Sequence, residues 1–222
     1  MTDFLQLFFS GLATGSIYAL AALGFTLLWQ ASGTINFAQG EFVMLPAFMM
    51  IFGLAAGLPL WMAFILSAVG SVLIQGWLFK RAVVDPLFKF GMMPIVVATI
   101  GLSITMRNAV RAGYSAEPKP FPYLFPDEVY SFAGLNISST DIGTFVFAMA
   151  LVLGVQTFLS RTVTGRAMQA VAQNTESATV LGIDVGRMIF YTFAINALLA
   201  AAAALLVTPT YLAKFDMGAS LG

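Results

Sequence analysis

"INFAQGEF", residues Ile35 to Phe42, places one acidic side chain in the most apolar part of the chain. Between Asp3 and Lys80, Glu41 is the sole charged residue. A carboxylate at membrane depth costs at least a few kcal/mol on insertion scales unless it meets a partner or a wet cavity. Gly33, Asn36, Gln39 and Gly40 gather around it without one Lys or Arg, whereas a loop outside the membrane would more often be charged. The stretch therefore reads as a break in a membrane helix over residues 30–41. Such breaks are tolerated where the freed backbone is buried in protein or lines water.

Outward from this stretch the chain is oily. Of its 222 residues 59% are hydrophobic and 9% charged, against about 25% charged in an ordinary soluble domain. Uncharged runs occupy Phe4–Gly40, Phe42–Phe79, Phe90–Met106, Ile142–Ser160 and Met188–Ala213. Each is at or near the roughly 20 residues that cross the hydrocarbon as a helix. The fold expected is an all-α integral membrane protein, a polytopic bundle of about six or more transmembrane helices. Residues 1–222 read as one transmembrane domain.

The first span, Phe4–Trp29, lacks the cationic start of a signal peptide and is too long for its apolar core, so it reads as retained. It carries Gly11, Gly15 and Ala19 at four-residue spacing, a pattern that lets membrane helices approach closely. A second span starts near Glu41, and Gly57-Leu58-Pro59 separates it from a third, Leu60–Phe79. Lys80, Arg81 and Lys89 surround Asp85-Pro86 as a short basic loop, and Arg161, Arg166 and Arg187 bracket the connection between spans five and six. The positive-inside rule makes both cytoplasmic, which puts the N-terminus outside if spans one to three each cross once, and leaves Arg107 and Arg111 toward the outer side. Ala112–Thr140, with four prolines and the charges Glu117, Lys119, Asp127 and Glu128, reads as an extended external loop. It contains a glycosylation-type triplet at Asn136-Ile137-Ser138. Thr140 offers an N-cap to span five.

Several chemistries are excluded. Net charge is zero, and there is no Cys or His, which removes thiolates, imidazole bases and the usual zinc ligands together. Gly101-Leu102-Ser103-Ile104 resembles an intramembrane serine-protease motif, but no base accompanies it. No G-x4-G-K-[ST] pattern exists to bind a nucleotide. Neither catalysis, metal nor cofactor is expected, and energy must come from another chain or from a gradient.

Two stretches remain for function. Asn36, Gln39, Gly40 and Glu41 are candidates for a translocation path. Glu41 has an alternative role as a charge at a helix N-terminus, worth roughly 0.3–1 kcal/mol. The second stretch is "GRAMQAVAQNTESATVLGIDVGR", Gly165–Arg187. Ala167, Ala170, Val171 and Asn174 share a helical face, Thr175 offers a cap for a second short helix, and Gly182 ends it. Small apolar faces of this kind suit a protein partner better than a lipid surface.

At these stretches the sequence resembles the permease subunits of Liv-type ABC importers, which carry branched-chain amino acids. "GSIYALAALGFTLLW" (Gly15–Trp29), "INFAQGEFVMLPAF" (Ile35–Phe48) and Gly165–Leu206 carry the likeness. The resemblance implies a second, related permease, two cytoplasmic ATPases and an external solute-binding protein as partners, in the cytoplasmic (inner) membrane. It implies that the ATPases dock on the loop holding Gly165, Arg166, Ala167, Ala170, Val171, Asn174, Glu176 and Gly182. Family members often carry His where this chain has Gln39, so a proton-linked role at that position is not expected. The family also continues past "GASLG", so the chain is expected to be C-terminally incomplete relative to it. Related permeases for urea or short amides share these motifs, and a gradient-driven carrier using Glu41 is the alternative from another class.

Overall fold

The computed structural model describes residues 2–33, 35–114, 117–126, 128–132 and 135–220; Thr34, Asp127 and Gly222 lie outside them. Helix α1 runs Thr2–Ser32, α2 Gln39–Ala55 and α3 Leu60–Phe88. Helices α4 (Met92–Tyr114), α5 (Ser139–Arg161), α6 (Val163–Gln173), α7 (Thr175–Val180) and α8 (Val185–Tyr211) follow, then a 3-10 turn at Met217–Ser220. Among the described residues five helices, α1, α3, α4, α5 and α8, are long and apolar enough to cross a membrane. Helix α2 is shorter because it starts inside the bundle. The chain is an all-α polytopic membrane protein.

Helix α8 is the centre of the bundle. Residues Leu199 to Pro209 are all buried, and five of them in a row, Ala200 to Ala204, are alanines. Small side chains allow neighbouring backbones to approach closely where lipid supplies no hydrophobic drive. Gly24 of α1 marks a close crossing, since a Cβ there would collide with the Asn196 side chain of α8. Helices α4 and α5 are mostly exposed and flank this core.

Several expectations need correction. The basic stretch Lys80–Lys89 is not a loop: α3 continues to Phe88, by way of π-helical turns over Val72–Leu78 and Lys80–Val84. The wider turn brings residues five apart together, and Lys80 Nζ reaches Asp85 at 2.8 Å. Pro86 lies within this continuous helix, near its last turn, and removes one main-chain N–H donor there. The stretch expected as an external loop holds a two-stranded hairpin, Val129–Phe132 against Leu135–Ser138, and Lys119 bridges to Ala213. The side chain of Asn136 lies outside the described residues. Ser138, not Thr140, caps α5, accepting a hydrogen bond from the Thr140 N–H. Asn174, not Thr175, caps α7, while the Thr175 hydroxyl donates to the Val171 carbonyl.

The turn at Gly57-Leu58-Pro59 forms as expected. Gly57 adopts φ +82°, and the Gly57 and Leu58 N–H groups close the end of α2 on the Leu54 and Gly53 carbonyls.

Candidate functional site

The break is real but narrower than residues 30–41. Helix α1 continues to Ser32, and Gly33, at φ +65°, reverses the chain. Residues 35–38 then lead into α2. The Phe37 N–H donates to the Thr99 hydroxyl at 3.2 Å, and the Ala38 N–H to Asn36 Oδ1 at 3.0 Å. The depth is fixed by what the first turns of α2 touch. Gln39 and Asn196, the latter near the middle of α8, exchange two amide hydrogen bonds of 2.8 and 3.1 Å. The start of α2 therefore lies between the two ends of the bundle.

Glu41 does not stand alone. Its carboxylate is 3% exposed and accepts from Arg107 Nη2 of α4 at 2.5 Å. The pair answers the cost of a buried charge, and the position of Glu41 in the first turn of α2 adds the helix dipole. The sequence places Arg107 toward the outer side; its signal as a partner is that it and Arg111 are cations in a helix without a carboxylate.

Pro46 shapes the next turn. A proline cannot donate to the carbonyl four residues earlier, and that carbonyl, of Phe42, instead accepts from Gln75 Nε2 at 2.9 Å. Ser67 donates to the Pro46 carbonyl at 2.9 Å. Ser67, Ser71 and Gln75 thus form a polar row at four-residue spacing along α3, facing α2. Gly40 meets the far end of the chain: a Cβ on it would collide with the Gly218 carbonyl, and one on Gly218 would press on the Gly40–Glu41 peptide at 2.7 Å. Only glycine at both positions permits this approach.

Among the described residues, four buried side-chain atoms lack a hydrogen-bond partner: Asn36 Nδ2, Ser71 Oγ, Gln75 Oε1 and Arg107 Nε. All lie around the first turns of α2. Each such group at membrane depth costs a few kcal/mol, so their convergence is the polar signature of the site. A cavity of about 370 Å³ borders it, lined by Tyr18, Ala21, Phe25, Ile35, Asn36 and Gln39 among others.

The second candidate stretch forms helices α6 and α7. Thr162 caps α6 through the Gly165 N–H, and Gly182, at φ +82°, closes α7 with its own and the Ile183 N–H. Gly165 and Val171 face inward, the latter 1% exposed, and Ala167 and Ala170 are half-buried. Arg166, Asn174, Glu176 and Gly182 are exposed. The outward apolar residues are ones the sequence reading passed over: Val163, Val180 and Leu181, each at least three-quarters exposed. Gly11, Gly15 and Ala19 are also exposed, along a shallow groove between α1 and α5.

A family profile described as branched-chain amino acid transport system, permease component, matches residues 7–222. The high-affinity branched-chain amino acid transport system permease protein BraD of Pseudomonas aeruginosa is 32% identical, over 94% of this chain and 72% of its own length. The LivH proteins of Salmonella typhimurium and Escherichia coli K12, permeases of the same description, are each 30% identical over 94% of this chain and 71% of theirs. No solved structure matches.

Proposed function

This chain belongs to the branched-chain amino acid transport permease family, and on that premise we propose that it moves branched-chain or other apolar amino acids through an ATP-driven importer by alternating access. The observation that carries the reading is the interrupted helix at membrane depth, with partnerless polar atoms gathered at the start of α2. In the proposal residues 1–222 act as one permease domain in the cytoplasmic (inner) membrane. Asn36, Gln39, Gly40 and Glu41 border the solute path. Gln39 and Glu41 hold its walls through Asn196 and Arg107, and Asn36 keeps a spare donor.

In this reading the enclosure of those spare atoms corresponds to a closed path. Opening needs only that nucleotide binding in partner ATPases favours the other of two arrangements. ATP hydrolysis belongs to those partners, a second permease completes the path, and an external binding protein delivers the solute. The connection Val163–Gly182 transmits the ATPase movement.

A gradient-driven carrier with Glu41 as its ion site is less well supported, since Glu41 is already paired to Arg107. Uptake of labelled leucine, and of urea as the competing solute class, into cells tests both readings. Loss of leucine uptake on ATP depletion, with persistence when ionophores collapse the gradients, is the expected result. The reverse pattern would establish the carrier, and uptake of urea alone would change the solute.

A further inference from the structure

The basic ends of α3 and α8 enclose a cavity of about 420 Å³ lined by Trp77, Lys80, Arg81, Asp85, Arg187 and Tyr191 together with Asp184, Gly186 and Phe190. Three cations and two carboxylates face it. Lys80 pairs with Asp85 at 2.8 Å and Arg187 with Asp184 at 3.1 Å, while Arg81 has no carboxylate partner among the described residues. The site therefore keeps one uncompensated guanidinium. Arg187, whose side chain is 77% exposed, has further N–H groups to offer beyond its single contact.

The order of side chains along both helices is the same. On α3, Trp77 lies about one turn from Arg81 toward the hydrocarbon, and on α8, Tyr191 lies about one turn inward from Arg187. Trp77 and Tyr191 are both exposed, and the exposed Leu73 continues the α3 face toward the bilayer centre. Aromatic rings of this kind settle at headgroup level, with cations just outside them. A free anion in water would need the cations alone. A lipid phosphate needs cations at one level and an amphipathic, then apolar, wall beneath, and this is what the two helices supply.

We propose that this cavity binds the phosphate of an anionic phospholipid of the phosphatidylglycerol class, drawn from the leaflet on the basic side of the protein. Arg81 and Arg187 hold the phosphate, Lys80 adds charge behind them, and Trp77 and Tyr191 flank the glycerol and the start of the acyl chains. The lipid bridges the ends of α3 and α8 next to the connection that holds α6 and α7. The inference is independent of the solute and of the transport mechanism.

The test is a titration of the full chain, purified in mild detergent with the subunits that stay bound, read by native mass spectrometry. The probes are short-chain phosphatidylglycerol, short-chain phosphatidylcholine and inorganic phosphate. Phosphatidylglycerol is expected to bind more tightly than either of the others. A cation beside an anionic lipid surface is worth roughly five-fold in affinity, so R81Q/R187Q should lose about thirty-fold for phosphatidylglycerol. Phosphatidylcholine should be little affected. Trp77→Ala should weaken phosphatidylglycerol while K119Q, at the opposite end of the molecule, leaves it unchanged. Equal binding of the two lipids, or a preference that survives in R81Q/R187Q, would overturn the proposal. Inorganic phosphate binding as tightly as phosphatidylglycerol would overturn the lipid assignment.

Discussion

Two polar connections interrupt the helices of this protein, and they are built in opposite ways. Residues 35–38, which lead into α2, and those just beyond them find partners far away in the chain: Thr99, Asn196, Arg107 and Gly218. Residues 162–184, between α5 and α8, turn outside the bundle, and their polar groups are met locally. Thr162 caps α6, Asn174 caps α7 and Asp184 caps α8, each through an N–H three residues on. The difference follows from solvent. Water satisfies whatever the outer connection leaves over, while the inner one must be matched by protein, group by group. Damage to the inner connection should therefore reach the whole bundle, and damage to the outer one should stay local.

The largest break in that comparison is expected at the buried ion pair. Arg107→Leu strands the Glu41 carboxylate and should cost about 3–5 kcal/mol, seen as loss of folded protein from the membrane or a lowered thermal midpoint in detergent. Neutralising both ends, in Glu41→Gln with Arg107→Gln, should recover much of that loss, and a double-mutant cycle measures how much. If the single changes prove harmless, the pair is not what holds α2 to α4.

Gly218→Ala comes next. Its methyl presses on the Gly40–Glu41 peptide, and overpacking of this kind costs about 1–3 kcal/mol. Gly11→Ala, where open space surrounds the added carbon, is the matched control and should be near neutral. Gln39→Leu leaves the Asn196 amide without its partner and should lower stability by about 1–2 kcal/mol in an unfolding titration. Asn196→Leu in the same chain should add little further, because both changes remove the same two bonds.

The outer connection sharpens the contrast from the other side. Leu181→Asp, at an exposed apolar tip, should change stability by no more than about 0.5 kcal/mol yet abolish co-purification of an ATPase. Val171→Asp should instead destabilise the chain itself, because Val171 is buried against it. Retention of the ATPase by Leu181→Asp would move the docking surface elsewhere.

The same contrast explains how much of the molecule could be read in advance. Span positions, the turn at Gly57-Leu58-Pro59 and the paired short helices after Arg161 are legible because hydropathy and glycine or capping chemistry act over a few neighbouring residues. The break before Glu41 is legible for the same reason, as a polar patch in an apolar run. Its partners are not: nothing local in Arg107, Asn196 or Gln75 says that each reaches α2, from 66, 157 and 33 residues away. The Lys80–Lys89 stretch misleads because its charges look like a loop, while a π-helical turn and the Lys80–Asp85 pair let the helix carry them outward. In the second connection Ala167, Ala170 and Val171 of the expected face turn at least partly inward while Asn174 is an exposed cap, and periodicity alone does not say which way such a face points. Val171 goes to the bundle, and the exposed apolar residues at 163, 180 and 181 are left outside.

The central claim, that the solute path follows the return before α2, is most directly tested by thiol accessibility. The chain has no cysteine of its own, so Ile35→Cys, on the cavity beside Asn36, can be probed alone with a membrane-impermeant thiol reagent. Leu73→Cys, on the exposed outer face of α3, serves as the comparison. During ATP-driven uptake Ile35→Cys should react several-fold faster than in de-energised vesicles, with excess leucine slowing it, while Leu73→Cys stays inert. Full uptake with Ile35→Cys as unreactive as Leu73→Cys would place the path elsewhere in the bundle.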